Sequence, residues 1–88
     1  MIEKINEDIY SFFKSYLGIK FYVEKDEYLF AKSQYFKTRD IVWLFSFLCD
    51  KYGLPMDQMP RFQGEVTINN IANCIYMGLK NESNSNNR

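Results

Sequence analysis

The chain has 88 residues, with 11 basic and 11 acidic side chains and no histidine. This length supports one small domain, and the 47% hydrophobic content is enough for a core without disulfides or metals. The balanced charges exclude a strong field that attracts nucleic acid, and no apolar run approaches the ~20 residues of a membrane span. The charged N-terminus does not read as a signal peptide, so we expect a cytoplasmic protein with no nucleic-acid or membrane partner.

The first predicted element is an amphipathic helix from Ile2 to Leu17, ended by Gly18. Its apolar residues share one arc of a helical wheel, and its charged and polar residues occupy the other side. The apolar arc comprises Ile2, Ile5, Ile9, Phe12, Phe13, Tyr16 and Leu17, and the polar side comprises Glu3, Lys4, Glu7, Asp8, Ser11 and Lys14.

The segment from Ile19 to Lys37 has two interpretations. Its run IKFYVEKDEYLF is rich in aromatic and β-branched residues, which favours a short hairpin. The alternative is a long loop pinned across a helical core, and because structureless loops beyond ~12 residues are uncommon, we expect a regular turn within it. The acidic cluster at 24–27 is typical of a solvated loop. The candidate pinning residues are Phe21, Val23, Leu29 and Phe30.

The second predicted helix runs from Thr38 to Tyr52. Thr38 is the expected N-cap, Asp40 lies in the first turn, and Gly53 is the expected left-handed C-cap. The predicted core stripe contains Ile41, Phe45, Leu48 and Tyr52, with Leu44 and Cys49 at its margins.

Two large aromatic residues, Trp43 and Phe47, do not fit that stripe. They stand four positions apart on the opposite side of the helix, near Arg39 and Asp50. Aromatic and arginine side chains concentrate binding energy at interfaces. We therefore predict a partner-binding face with Trp43 and Phe47 as anchors and Arg39 and Asp50 on its rim. The alternative is that the IKFYVEKDEYLF segment covers the two rings and makes them part of the core.

The rest of the chain predicts a short helical turn and a last helix. The turn is expected at Met56 to Met59, and Thr67 is the expected N-cap of the last helix. The two cysteines are expected to be semi-buried free thiols. The predicted domain is 1–79, with a disordered polar tail at 80–88. The core stripe of the last helix contains Ile68, Ile71, Ala72, Ile75 and Leu79. These elements predict an all-α bundle of three main helices and one short helix, with a long first loop.

The run KTRDIVWLFSFLCDKYGLPMDQM, followed by VTINNIANCI, resembles the second half of an acyl carrier protein. In that family the second helix starts at an Asp-Ser-Leu-Asp motif and ends in an aromatic residue and a glycine. A short third helix follows, and the fourth helix starts at Thr-Val-x-(Asp/Asn). Asp40 matches the last Asp of the motif, Tyr52 and Gly53 match the aromatic-glycine exit, and the TINN run from Thr67 matches the fourth-helix start. The resemblance covers roughly Leu29 to Leu79 and implies a four-helix acyl carrier-like fold.

A closer resemblance is to the acyl carrier-related proteins of peptide-maturation systems in clostridia-like bacteria. In those proteins a Leu-Phe pair precedes an Arg-Asp/Glu start to an aromatic-rich helix, and Asn-Asn-Ile opens the last helix. The matching positions here are Leu29-Phe30, Arg39-Asp40, Trp43-Leu44-Phe45 and Asn69-Asn70-Ile71. This resemblance implies a protein partner, namely an enzyme of peptide maturation.

One position decides whether the chain is expected to be a working carrier. Carriers use a serine hydroxyl to hold phosphopantetheine, and the matching residue here is Thr38, flanked by Lys37 and Arg39 rather than Asp and Leu. Carrier proteins are also strongly acidic, whereas this chain has a formal net charge of +0. We therefore expect a carrier-like fold without its cofactor, which binds its partner by apolar burial. Attachment of phosphopantetheine at Thr38 is the alternative.

No catalytic constellation is visible. There is no histidine for general-base work, no Gly-rich phosphate loop and no metal-ligand spacing. We expect a protein that is not an enzyme and that holds no metal or cofactor. The predicted function is a non-catalytic binding module, and the alternatives are a working acyl or aminoacyl carrier and a homodimer formed through the aromatic face.

Overall fold

Three amphipathic segments form the helices of this protein. The computed structural model describes the backbone of residues 1–85 and the side chains of residues 1–81. Within that part of the chain there is no strand, so the all-α prediction is confirmed and the hairpin interpretation is wrong. No described helix has the length and apolar character needed to cross a bilayer. The helices are α1 (Ile2–Tyr16), α2 (Thr38–Tyr52) and α3 (Ile68–Ser85), with short 3-10 helices at Leu29–Lys32 and Met56–Gln58.

The core lies where the apolar stripes of α1, α2 and α3 meet, because each helix packs against the other two. On α2 the buried stripe differs from the predicted one. Leu44 is fully buried, whereas Phe45 and Tyr52 are only half-buried. The stripe is displaced because α2 contacts both α1 and α3, so its buried arc is wider than a single seam. The fully buried helix residues include Ile5, Ile9, Phe12, Leu44, Leu48, Ile68, Ile71, Ala72 and Ile75.

Residues 18–37, named here the strap, connect α1 to α2 as an ordered loop. The strap is pinned by buried Val23, Leu29 and Phe36, and the ring of Phe36 lies 4.9 Å from that of Phe13. Phe21 is 36% exposed and does not pin it. Two backbone hydrogen bonds join the strap to the start of α3: Leu29 N–H donates to the carbonyl of residue 66, and the N–H of residue 69 donates to the carbonyl of residue 25, both at 2.9 Å. The pinned-loop interpretation and its expected turn are therefore confirmed.

One of the predicted helix caps, Thr38 at the start of α2, is wrong. Lys37 occupies the N-cap position of α2, and Thr38 is the first helical residue, without a capping hydrogen bond. The side chain of Asp40 accepts from Lys37 N–H at 3.1 Å and satisfies this end instead. Thr67 does cap α3, since its hydroxyl accepts from Asn70 N–H at 3.1 Å.

The end of α3 lies beyond the predicted domain boundary at Leu79. The backbone is helical through Ser85, so the expected disordered tail at 80–88 is helical over its first residues. Each residue added to an existing helix gains a backbone hydrogen bond without a new nucleation cost, which allows a polar extension. Residues 86–88 of that tail lie outside the described residues.

Candidate aromatic interaction face

Four rings from two helices meet to form the aromatic face: Phe12 and Tyr16 of α1, and Trp43 and Phe47 of α2. Each helix supplies a pair four positions apart, which places both rings of the pair on one side of the helix. The Trp43 ring lies 5.0 Å from Phe12 and 5.4 Å from Tyr16. The Phe47 ring lies 5.1 Å from Phe12 and 5.6 Å from Tyr16. The predicted anchors are therefore held by a well-packed aromatic cluster.

This aromatic face is buried at its base and open at its top. Phe12 is fully buried and Phe47 is half-buried, whereas Trp43 is 46% exposed and Tyr16 is 53% exposed. The rings that contact Trp43 and Phe47 come from α1, whereas the alternative interpretation of the sequence had them covered by the strap. Tyr16 was expected in the core and lies on this surface instead. The sequence does contain a signal for this position, since Tyr16 follows Phe12 by four residues just as Phe47 follows Trp43. The sequence-based prediction did not use it.

Arg39 and Asp50, the predicted rim residues, are both exposed on α2. Arg39 lies one turn before Trp43, and Asp50 lies nearly one turn after Phe47. The rise of ~1.5 Å per residue separates their backbone positions by roughly 16 Å along the helix axis. Neither side chain has an ion-pair partner among the described residues. Both charges are therefore available at opposite ends of the aromatic face.

Thr38 stands at the exposed start of α2. Its hydroxyl makes no hydrogen bond within the described part of the chain, because the Asp40 side chain takes the capping role. The structural role predicted for this threonine is therefore absent.

Sequence reasoning missed a buried polar cluster centred on Asp8, which it placed on the solvated side of α1. Asp8 is 4% exposed and accepts a short hydrogen bond from the Tyr52 hydroxyl. Its carboxylate also lies 3.1 Å from Lys51 Nζ and 3.5 Å from Lys4 Nζ. Burial raises the pKa of the Asp8 carboxyl, but the hydrogen bonds from Tyr52 and Lys51 and the nearby lysine charges outweigh it, so its pKa is lowered. The cluster ties α1 to the end of α2.

The cysteines lie beneath residues 53–67, named here the connector, which join α2 to α3. Cys49 Sγ is 3.9 Å from Met59 Sδ, and Cys74 Sγ is 3.5 Å from the carbonyl oxygen of Pro60. Both thiols are free, as predicted, but they are buried rather than semi-buried, and burial raises the pKa of each. Among the described residues, no three His, Cys, Asp or Glu side chains are grouped as metal ligands.

Comparison of this chain with protein-family models, curated proteins and solved structures gives no match. The protein is therefore classed by its own fold and by its aromatic face. It is a small all-helical domain with an exposed aromatic face built from two helices.

Proposed function

We propose that this protein is a non-catalytic, acyl carrier-like binding module that docks onto a partner protein through the aromatic face. The observation that carries the proposal is Trp43, which remains 46% exposed although the rings of Phe12 and Tyr16 pack against it. A rigid, half-exposed tryptophan loses little conformational entropy on binding and offers a large apolar surface. This combination is typical of an interface anchor.

The chemistry of the face indicates the kind of partner. The chain has a formal net charge of +0, so long-range attraction contributes little to association. The partner should present an apolar cleft that accepts Trp43, with charges that meet Arg39 and Asp50 at its two ends. We propose that this partner is an enzyme of peptide maturation, a choice that rests on the sequence resemblance.

The first test uses the double variant Trp43→Ala/Phe47→Ala as bait beside the wild type in cells that make this protein. A peptide-modifying enzyme should be enriched by the wild type and lost with the double variant, because truncation of a buried anchor costs ~2 kcal/mol or more. Tyr28→Ala is the matched control, since Tyr28 is an exposed aromatic outside the face. Far-UV circular dichroism confirms that each variant is folded.

The second measurement uses Trp43 as a reporter, because it is the chain's single tryptophan. Its fluorescence should shift to shorter wavelength when the purified partner is added, because docking removes water from the indole. An unchanged emission with a bound partner would place the interface elsewhere. Concentration-dependent sedimentation separates a second copy of this chain from a different protein as the occupant of the face.

Thr38 supports a second candidate function, that of a working acyl or aminoacyl carrier. Its hydroxyl is exposed and without a hydrogen-bond partner among the described residues, so no structural role competes with attachment of phosphopantetheine. The attachment would join the hydroxyl oxygen to the phosphate of the arm, with the rest of coenzyme A as the leaving group.

Intact mass after incubation with a phosphopantetheinyl transferase and coenzyme A tests this candidate. A gain of one phosphopantetheine in the wild type, absent in Thr38→Ala, establishes a carrier. An unchanged mass in the wild type removes the carrier function and leaves the binding module. Thr67→Ser is a useful control, because Thr67 is the buried cap of α3 and should not affect the modification.

A further inference from the structure

A second surface feature is the strap cavity, which lies between the last turns of α1 and the first residues of the strap. Its volume is about 540 Å³, within the range of small-molecule sites. Residues from both elements line it, so the packing of the strap against α1 creates its shape. Its aromatic wall and its charge come from the lining residues Tyr10, Lys14, Lys20, Phe21 and Tyr22.

The aromatic wall of the strap cavity is preformed. The rings of Tyr10 and Tyr22 stack with their centroids 5.8 Å apart and an interplanar angle of 15°. Tyr10 is fixed because its hydroxyl donates to the carbonyl oxygen of Val23 at 2.6 Å, and Val23 is itself buried. Burial is the largest cause that raises the pKa of Tyr10, so this hydroxyl stays protonated and continues to donate.

Tyr22 is the ring of this wall that remains available to a ligand. It is 67% exposed although it is stacked on Tyr10. The neighbouring ring of Phe21 is already engaged, since Tyr35 packs on it at 4.9 Å and Lys32 Nζ lies 4.8 Å from its centroid. A planar ligand would therefore stack on Tyr22 rather than on Phe21.

The charged residues that line the strap cavity are both basic. Lys14 and Lys20 are exposed lining residues, and neither has an ion-pair partner among the described residues. No residue of the described lining is acidic. Glu24 and Glu27 lie near enough to act on Tyr10, but neither lines the cavity, and Glu27 is paired with Lys32 at 3.0 Å. Two free ammonium groups beside a stacking platform suit an anionic ligand.

From this geometry we infer that the strap cavity binds a small planar aromatic anion, with its ring stacked on Tyr22 and its charge held by Lys14 and Lys20. The aromatic face on Trp43 plays no part in this site, so the two surfaces can be tested independently. A cavity of this volume accommodates one small molecule rather than a macromolecule.

The test is a titration with naphthalene-2-carboxylate, followed by NMR of the backbone amides and of the single tryptophan indole. The carboxylate should shift the amides of residues 18–23 and of the last turns of α1, while the Trp43 indole signal stays in place. Naphthalene-2-carboxamide, which is planar but neutral, should bind at least about tenfold more weakly because it lacks the charge that the lysines hold.

Exposed residues allow variants that keep the fold. Tyr22→Ala should weaken binding of the carboxylate by about fivefold or more, since stacking on one aromatic ring contributes that much. Lys14→Ala/Lys20→Ala should weaken it by about tenfold. Lys25→Ala/Lys80→Ala removes the same amount of charge from exposed lysines outside the cavity and should leave the affinity unchanged.

Several results would overturn the inference. These are equal affinity for the carboxylate and the carboxamide, equal losses in the two double-lysine variants, or a response at the Trp43 indole in place of residues 18–23. The absence of any shift at millimolar carboxylate would also overturn it. None of these results bears on docking through the aromatic face, because docking is measured by the response of Trp43 to the partner protein.

Discussion

Asp8 joins three other side chains of α1 and α2 through a carboxylate that is almost completely buried. Its hydrogen bond from Tyr52 spans 44 positions of sequence, and Lys51 adds a second contact from the same end of α2. A buried carboxylate is stable in its charged form only when such partners replace water. This cluster therefore fixes how the end of α2 packs on α1.

We predict that Asp8→Asn lowers the free energy of unfolding by about 2–4 kcal/mol at neutral pH, because Lys51 loses its countercharge and Tyr52 a charged acceptor. The loss should also change the pH dependence of stability. The folded-state pKa of Asp8 is lowered, so its contribution is full above the unfolded pKa of ~3.9 and is lost as the pH falls toward the lower folded value. Urea unfolding at pH 7 and pH 3 measures both effects.

Glu7→Gln is the matched control for this experiment, because Glu7 is the exposed carboxylate next to Asp8 on α1. It should change the free energy of unfolding by less than about 0.5 kcal/mol. If Asp8→Asn and Glu7→Gln had equal effects, or if Asp8→Asn kept the acid sensitivity of the wild type, the cluster would have no special role.

The connector between α2 and α3 packs closely against the last helix at Gly78. A Cβ added to Gly78 would lie 2.8 Å from Leu54 Cδ2 and 3.1 Å from Pro60 Cδ. Leu54 is buried in the core and the proline ring is rigid, so moving either atom disturbs the packing of the connector. Gly78 therefore lets the connector approach α3.

We predict that Gly78→Ala destabilises the protein by about 1–2 kcal/mol, although alanine favours helices by about 1 kcal/mol over glycine. The clash with Leu54 and Pro60 outweighs the propensity gain. Asn73→Ala, at an exposed position of the same helix, should be neutral or slightly stabilising. Thermal unfolding of both variants measures the difference, and a stabilising Gly78→Ala would show that the connector moves away easily.

A further prediction concerns the strap, which is anchored by buried aromatic and aliphatic side chains. Phe36→Ala should lower the free energy of unfolding by about 3–5 kcal/mol, since Phe36 is fully buried against Phe13. Phe21→Ala, at the partly exposed ring of the same strap, should cost distinctly less. Hydrogen exchange of the Leu29 amide, which donates to Val66, reports whether the strap remains docked. Equal costs for the two variants would contradict the assignment of Phe36 as the anchor.

The helices could be predicted from sequence because their signals are local. Apolar spacing, Gly53 and the Thr67 cap act within one or two turns, and the observed bounds of α2 agree with the predicted ones. The path of the strap and the burial of Asp8 depend on residues far along the chain, such as Val66 and Tyr52. Periodicity carries no information about such partners. The anchor pair Trp43 and Phe47 was visible as a break in the pattern, but its support from α1 was not.

At the scale of the whole molecule, one core joins all three helices, the strap and the connector. Buried residues from each of these segments belong to the same cluster. A domain of this size with one contiguous core is expected to unfold in a single cooperative step. The two cysteines can serve as probes of cooperative unfolding, since Cys49 lies on α2 and Cys74 on α3.

We predict that both thiols react with an aromatic disulfide reagent only as fast as the whole protein unfolds. Burial raises the pKa of both thiols, so the reactive thiolate is scarce in the folded state, in which Cys49 is 4% and Cys74 is 7% exposed. Cys49→Ser and Cys74→Ser leave one reporter each, and the two labelling rates should show the same dependence on urea as global unfolding. Faster labelling of Cys74 than of Cys49 under folded conditions would mean that the connector over Pro60 opens by itself. In that case the connector and α3 would form a separate, less stable unit, and the single-step description would be wrong.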